Sequence, residues 1–399
     1  MSTASRIHHD KRPRLRSSAF AGFVASNFSA AIGRNGYYIV SAWVLVQAGS
    51  GNAGVATLLA IVSLVELAAS PLAGSAADRF DRRRLNIAAD LGRFGVMIAT
   101  ACMLLYLDVF PTLCLSAGLF SLCDRVALTA SQAMVPRVTR GSDLAKSNST
   151  VFLVMQFGGL AAALLAGPLL NGHPPALAYA VLALFFVASV GLLISMRVDW
   201  APHDVSRAGV PAANADFPLC RVIVPYALLY ASAVLVTVMG SSFVFDEQKG
   251  TAAQFGYLEA AWSAGSLVGA VLLVRLKRAI SARRLHLMLL GATAFALMSL
   301  VALRLPWSLL VFATLGCLYN LGRVSIEVAL QSQVADSVLG RTKGIMHSLA
   351  VALGLLVFST VAVLGASVFP STVFFGFGVV LLIVMLALSI GVPQQKGEA

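Results

Sequence analysis

Twelve long apolar runs, each ended by polar or basic residues, set the rhythm of this chain. They cover residues 18–46, 51–73, 86–106, 111–134, 150–170, 175–196, 222–245, 253–274, 285–303, 307–330, 344–366 and 371–391. Each is close to the ~20 residues that an α-helix needs to cross a hydrocarbon core of about 30 Å. The runs lack the alternation of a barrel strand, and a chain inside lipid must satisfy every N–H and C=O within its own segment. The pattern therefore predicts an all-α polytopic membrane protein of twelve transmembrane helices. The first run contains Arg34, and the tenth contains Arg323 and Glu327.

The basic residues fix the sides. Of 29 Lys and Arg, 23 fall in the segments that share a side with the N-terminus, two (Lys249 and Arg304) fall opposite, and four (Arg34, Arg93, Arg125, Arg323) lie within runs. The positive-inside rule then puts both termini in the cytoplasm, and a miscounted span would spoil the split. The basic stretch from Arg6 to Arg16 precedes an apolar run, as a signal peptide does. That run is too long for a signal core, so it is expected to stay as the first span.

Composition agrees. Hydrophobic residues make up 58% of the 399 positions and charged residues 12%, about half the share of an average soluble domain. The formal charge of +12 suggests nucleic acid only until its distribution is seen, because topology accounts for it. The five cysteines (Cys102, Cys114, Cys123, Cys220, Cys317) have no paired spacing and are expected to be small buried apolar residues. No metal site, catalytic constellation or phosphate-binding loop is present in the sequence pattern. The six histidines fall in polar segments or near run ends. No enzyme, no cofactor and no nucleic-acid partner is expected.

The longest connection on the basic side, 197–221, contains Pro202, Gly209, Pro211 and Pro218. It divides the chain into an N-terminal six-helix half, 1–196 (with a cytoplasmic tail, 1–17), and a C-terminal half, 222–399. A faint repeat supports this. Gln132, Val135 and Gly141 are echoed at Gln331, Val334 and Gly340, in each case 199 positions on.

The connection between spans two and three reads Gly74-Ser-Ala-Ala-Asp78-Arg79-Phe80-Asp81-Arg82-Arg83. It resembles the G-x-L-A-D-R-x-G-R-[RK] signature of the major facilitator superfamily (MFS), at the loop where that family carries it. Ala76 and Asp81 depart from it. The resemblance implies two pseudo-symmetric six-helix halves, an alternating-access transporter and a cytoplasmic latch. In that latch Gly74 would let helices approach, Asp78 would sit at the start of span eleven, and Arg79, Arg82 and Arg83 would bind the opposite half. Span five, with Gly158, Gly159, Ala163, Gly167, Pro168 and Gly172, looks like the family's antiporter signature. Small residues four apart also make a groove for a second helix. Met134–Arg137, Leu144–Asn148 and the stretch from Gln333 to Arg341 resemble the drug and siderophore exporter branch.

Ionisable residues inside spans are costly and tend to face partners or a cavity. Arg34, Arg125 or Arg323 facing a cavity would attract an anionic substrate. A carboxylate whose charge is costly there, Glu66 or Asp124, suits uptake and release of a coupling proton. Arg323 and Glu327 are four apart and read first as an internal pair; Asp124 has Arg34 or Arg93 as candidate partners across helices. Glu66 has no partner in its own span and is the leading proton site. Asp90, Arg93 and Glu259 complete the set.

The expected protein is a proton-coupled secondary transporter of the bacterial inner membrane, exporting a small molecule such as a drug, siderophore or carboxylate metabolite. It works as a monomer in the lipid bilayer, with no cofactor and H⁺ as coupling ion. An uptake symporter or facilitator on the same fold is the first alternative, and a receptor or scaffold the second.

Overall fold

The structure, a computed structural model, describes residues 12–139, 144–196, 220–276, 281–333, 336–364 and 368–390. The helices are α1 (Arg12–Gln47), α2 (Gly51–Arg79), α3 (Arg82–Met103), α4 (Val109–Val138), α5 (Leu144–Leu170) and α6 (Pro175–Ser195). They continue with α7 (Cys220–Ser242), α8 (Ala252–Leu276), α9 (Ala282–Ser299), α10 (Trp307–Gln333), α11 (Asp336–Leu364) and α12 (Pro370–Ile390). Each corresponds to one apolar run. Nine of them hold a described stretch long and apolar enough to cross a membrane; α1, α8 and α9 do not reach that measure. α1 carries Arg34 and two asparagines, and α9 opens with two arginines.

Local chemistry sets several boundaries. Asp81 caps α3, its carboxylate accepting from the Arg84 N–H at 2.9 Å. The aspartate that departs from the family signature thus satisfies a donor that the helix start leaves open. Thr251 and Gln254 form a reciprocal capping box before α8. Pro175 and Pro370 open α6 and α12, where the missing N–H costs nothing. α7 ends in a π-helical turn, Phe243–Glu247. From that turn Glu247 accepts from the Ser371 N–H at the start of α12, at 3.0 Å.

The first six helices pack among themselves (α1 on α5 and α6, α2 and α3 on α4, α3 on α6), and so do the last six (α8 on α10, α9 on α12, α7 on α11). α5 lies against α8, and α2 against α11, joining the two groups. Large apolar side chains such as Leu64, Leu72, Tyr106, Leu184, Val271 and Val363 point outward and exposed, which suits lipid. Four described cysteines are free; Cys102 is exposed and Cys114, Cys123 and Cys317 are half-buried. The expectation of buried cysteines is therefore corrected: in a membrane protein an apolar run need not face inward. The 197–221 connection, apart from the start of α7, lies outside the described residues, as do the side chains of the second copy of the internal repeat.

The α5–α8 seam is the tightest joint between the two groups. A Cβ on Gly256 would lie 2.7 Å from the Ala163 carbonyl oxygen and 2.9 Å from the Gly167 Cα; one on Gly167 would lie 3.0 Å from the Ala252 carbonyl oxygen. The small residues of span five do form a groove, and a glycine on α8 fills it. Gly256→Ala is expected to cost about 1–3 kcal/mol by overpacking, seen as a lower thermal unfolding midpoint in detergent. Gly191→Ala, where an added Cβ meets nothing within 4 Å, should cost nothing.

Candidate functional site

A cavity of about 430 Å³ opens between the two helix groups, a size typical of small-molecule sites. α1 contributes Arg34, Asn35 and Tyr38; α2 contributes Leu58, Val62, Ser63 and Glu66; α5 contributes Gln156 and Gly159. The opposite wall is Tyr230 and Thr237 of α7, Phe255, Glu259, Trp262 and Ser263 of α8, Tyr319 of α10 and Phe358 of α11. Towards the side away from the basic loops, Trp43 stacks on Phe255 at 5.6 Å and meets Phe245 edge-on at 5.4 Å. Together with the α5–α8 seam, this aromatic plug closes that end.

Behind the α1 wall lies a charge cluster. Asp124 is fully buried and accepts from Arg34 Nε at 2.7 Å through one oxygen and from an Arg93 terminal nitrogen at 2.7 Å through the other. Arg93 also pairs with Asp90, one turn back on α3. Ser189 of α6 donates to the second Asp90 oxygen at 2.7 Å and meets Ser26 of α1 at 2.9 Å. Arg93 lies over the Phe186 ring at 4.4 Å. Two cations and two anions thus tie α1, α3, α4 and α6 together, and charge-assisted bonds of this length are strong. Both candidate partners of Asp124 are used, and Asp124 stands behind Arg34 rather than on the cavity wall.

Glu66 is on that wall. It is partly exposed, has no ion-pair partner within 4.0 Å among the described residues, and feels Arg34, Asp124 and Arg125 electrostatically. Arg125 does not line the cavity. Nor do Arg323 and Glu327, which pair with one another at 3.7 Å as their spacing suggested, with Arg323 also over the Phe152 ring. Sequence reasoning named Glu259 but gave it no role. The signal was there: like Glu66, it is a carboxylate in an apolar run with no Lys or Arg three or four residues away.

The latch residues of α2 and α3 bond locally, and the side chains at the start of α11, the expected partner of Asp78, lie outside the described residues. The Asp78 side chain is 81% exposed and, among the described residues, its ion-pair partner is Arg82, at 3.9 Å. Gly74 has nothing within 4 Å of where a Cβ would be. Arg82 donates to the carbonyls of Ala77 and Ala133, and Arg83 to those of Leu193 and Ile194. Among the described residues these bonds stay within the first six helices, and Ala77, Leu193 and Ile194 lie in last turns, where carbonyls are left open. Arg79 is exposed. At the other end the α5–α8 seam and the Trp43 cluster join the two helix groups.

The family follows from comparison with known proteins. The Major Facilitator Superfamily model matches residues 23–359. The chain belongs to the Major Facilitator Superfamily. It is a multi-pass membrane transporter and not an enzyme. The multidrug efflux pump Tap of Mycobacterium tuberculosis is 25% identical over 341 residues, covering 78% of each chain. The enterobactin exporter EntS of Escherichia coli is 28% identical over 330 residues, covering 79% of this chain and 78% of its own. Among solved structures, a bacterial homologue of the iron transporter ferroportin in an inward-facing state superposes with a TM-score of 0.72 at 18% identity, over 94% of this chain and 98% of that one. The nucleoside transporter NupG gives a TM-score of 0.67 at 12% identity, over 94% of this chain and 98% of that one. At such identities these structures speak for the MFS fold alone.

Proposed function

We propose that this MFS protein is a proton-coupled exporter of small molecules in a bacterial inner membrane, a monomer with both termini in the cytoplasm. Its six-helix halves, 1–196 and 222–399, rock about the central cavity, joined by the 197–221 linker. The observation that carries the reading is Glu66: a carboxyl on the cavity wall, without an ion-pair partner among the described residues, beside an arginine already held by Asp124. Such a group can hold the coupling proton, because what binds beside it changes the cost of its charge. A proton on Glu66 leaves Arg34 with Asp124. Loss of that proton adds a second anion in front of Arg34 and changes the balance that holds α1 to α4.

Export as the direction is supported by the names of the two relatives and by span five, whose Gly159, Gly167 and Pro168 resemble the family's antiporter signature, with Ala163 and Asn171 in place of glycines. Rocking about that seam would open the plugged end and bring the 2–3 loop onto the opposite half, where Asp78 and Gly74 would meet their latch partners. The test is accumulation of a panel of cationic, neutral and anionic dyes in inside-out vesicles energised by respiration. The expected result is uptake of at least one dye that a protonophore abolishes. Uptake indifferent to the protonophore would identify a facilitator and sink the antiport reading.

A further inference from the structure

The charges that face the cavity are unequal in what they offer a substrate. Among the described lining residues, three carry formal charge: Arg34, Glu66 and Glu259. Arg34 is neutralised by Asp124 at 2.7 Å, and Arg93 by Asp90 behind it. Neither glutamate has a cation within 4.0 Å among the described residues, and Arg125 and Arg323 stand off the wall. The arginines that the sequence offered as attractors for an anion are thus occupied or elsewhere. What remains is a cavity with two carboxyls on opposite walls.

We propose that this is an organic-cation site, in which Glu259 holds the cationic group of an aromatic or apolar substrate while Glu66 serves the proton. The proposal rests on the transport reading above and names its substrate class. Glu259 stands on the same face of α8 as Trp262 and Ser263, three and four residues on, so a cation beside it also meets the indole. Trp262 and Tyr319 form a tilted pair with centroids 5.8 Å apart, and Tyr230 and Phe358 also line the site. Aromatic faces attract desolvated cations and bury apolar bodies. An anion of equal size would face two carboxyls, and the one cation among the described lining residues, Arg34, is already paired with Asp124. The division of labour follows from position: Glu66 is beside the Arg34–Asp124 pair, whereas Glu259 is on the far wall.

A matched pair of ions tests this on the full-length protein in uncharged detergent. Tetraphenylphosphonium and tetraphenylborate share size and shape and differ in sign. Equilibrium dialysis, corrected against protein-free micelles, should find the cation bound about tenfold or more tighter than the anion. Glu259→Gln should weaken the cation by about tenfold or more, as expected for losing a charge–charge attraction in a partly desolvated site, and Glu259→Asp should keep most of the affinity. Equal or tighter binding of the anion by the wild type overturns the proposal, as does a Glu259→Gln protein that binds the cation unchanged. The wild-type comparison needs no variant, so misfolding cannot mask the answer. Binding is read without a gradient: cation binding without proton-driven export would sink the coupling reading alone, and proton-driven export without cation preference would sink this one alone.

Discussion

Replacing Asp124 with alanine should strongly destabilise this MFS protein. Asp124 is fully buried and bonds Arg34 and Arg93 at 2.7 Å each. Removing one partner of a buried ion pair strands the other, at a cost of about 3–5 kcal/mol. The lower end applies here, because Arg93 keeps Asp90 and Arg34 can turn to the cavity. The effect should appear as a large drop in the thermal unfolding midpoint in detergent and a reduced yield of folded protein. Arg34→Gln combined with Asp124→Asn restores charge balance and should recover a good part of the loss. A midpoint unchanged in Asp124→Ala would mean that the cluster does not hold α1, α3 and α4 together.

The second large effect belongs to Glu66. Glu66→Gln keeps the shape and polarity of the side chain and removes its exchangeable proton. Proton-driven accumulation in inside-out vesicles is expected to fall to background. Substrate exchange across vesicles with no gradient should persist, because binding and rocking need no proton once the carboxyl is fixed in its neutral form. That split separates coupling from binding, which a merely destabilised protein would lose together. Glu259→Gln should show a different signature, with weakened binding of cationic substrate and retained coupling for any compound still carried.

Much of this was legible in the sequence, and the reason is the bilayer. Every span must be long, apolar and helical, so the run lengths alone give twelve helices whose described ends fall within about ten residues of the runs. The Arg323–Glu327 pair was readable because both partners share one helix face. Asp124 could be assigned candidate partners but not its place behind Arg34, since a helix periodicity carries no information on which neighbour it meets. The latch shows the same limit differently. A family motif describes contacts made through a whole cycle, whereas one state shows only some of them; here Arg82 and Arg83 hold carbonyls of their own half while Asp78 stands exposed. Glu259 had no role in the sequence because the arginines offered the stronger pattern, and only the structure reveals that the cavity arginine is already neutralised.

Proton countertransport itself can be observed. Purified protein would be reconstituted in liposomes holding a pH-sensitive dye, with an imposed pH gradient, and presented with a compound that accumulates in the vesicle assay. The account predicts that adding the compound collapses the gradient faster in liposomes containing the wild type than in protein-free ones, and that Glu66→Gln abolishes the difference. A compound that crosses at the wild-type rate while the gradient decays no faster than in protein-free liposomes would contradict it.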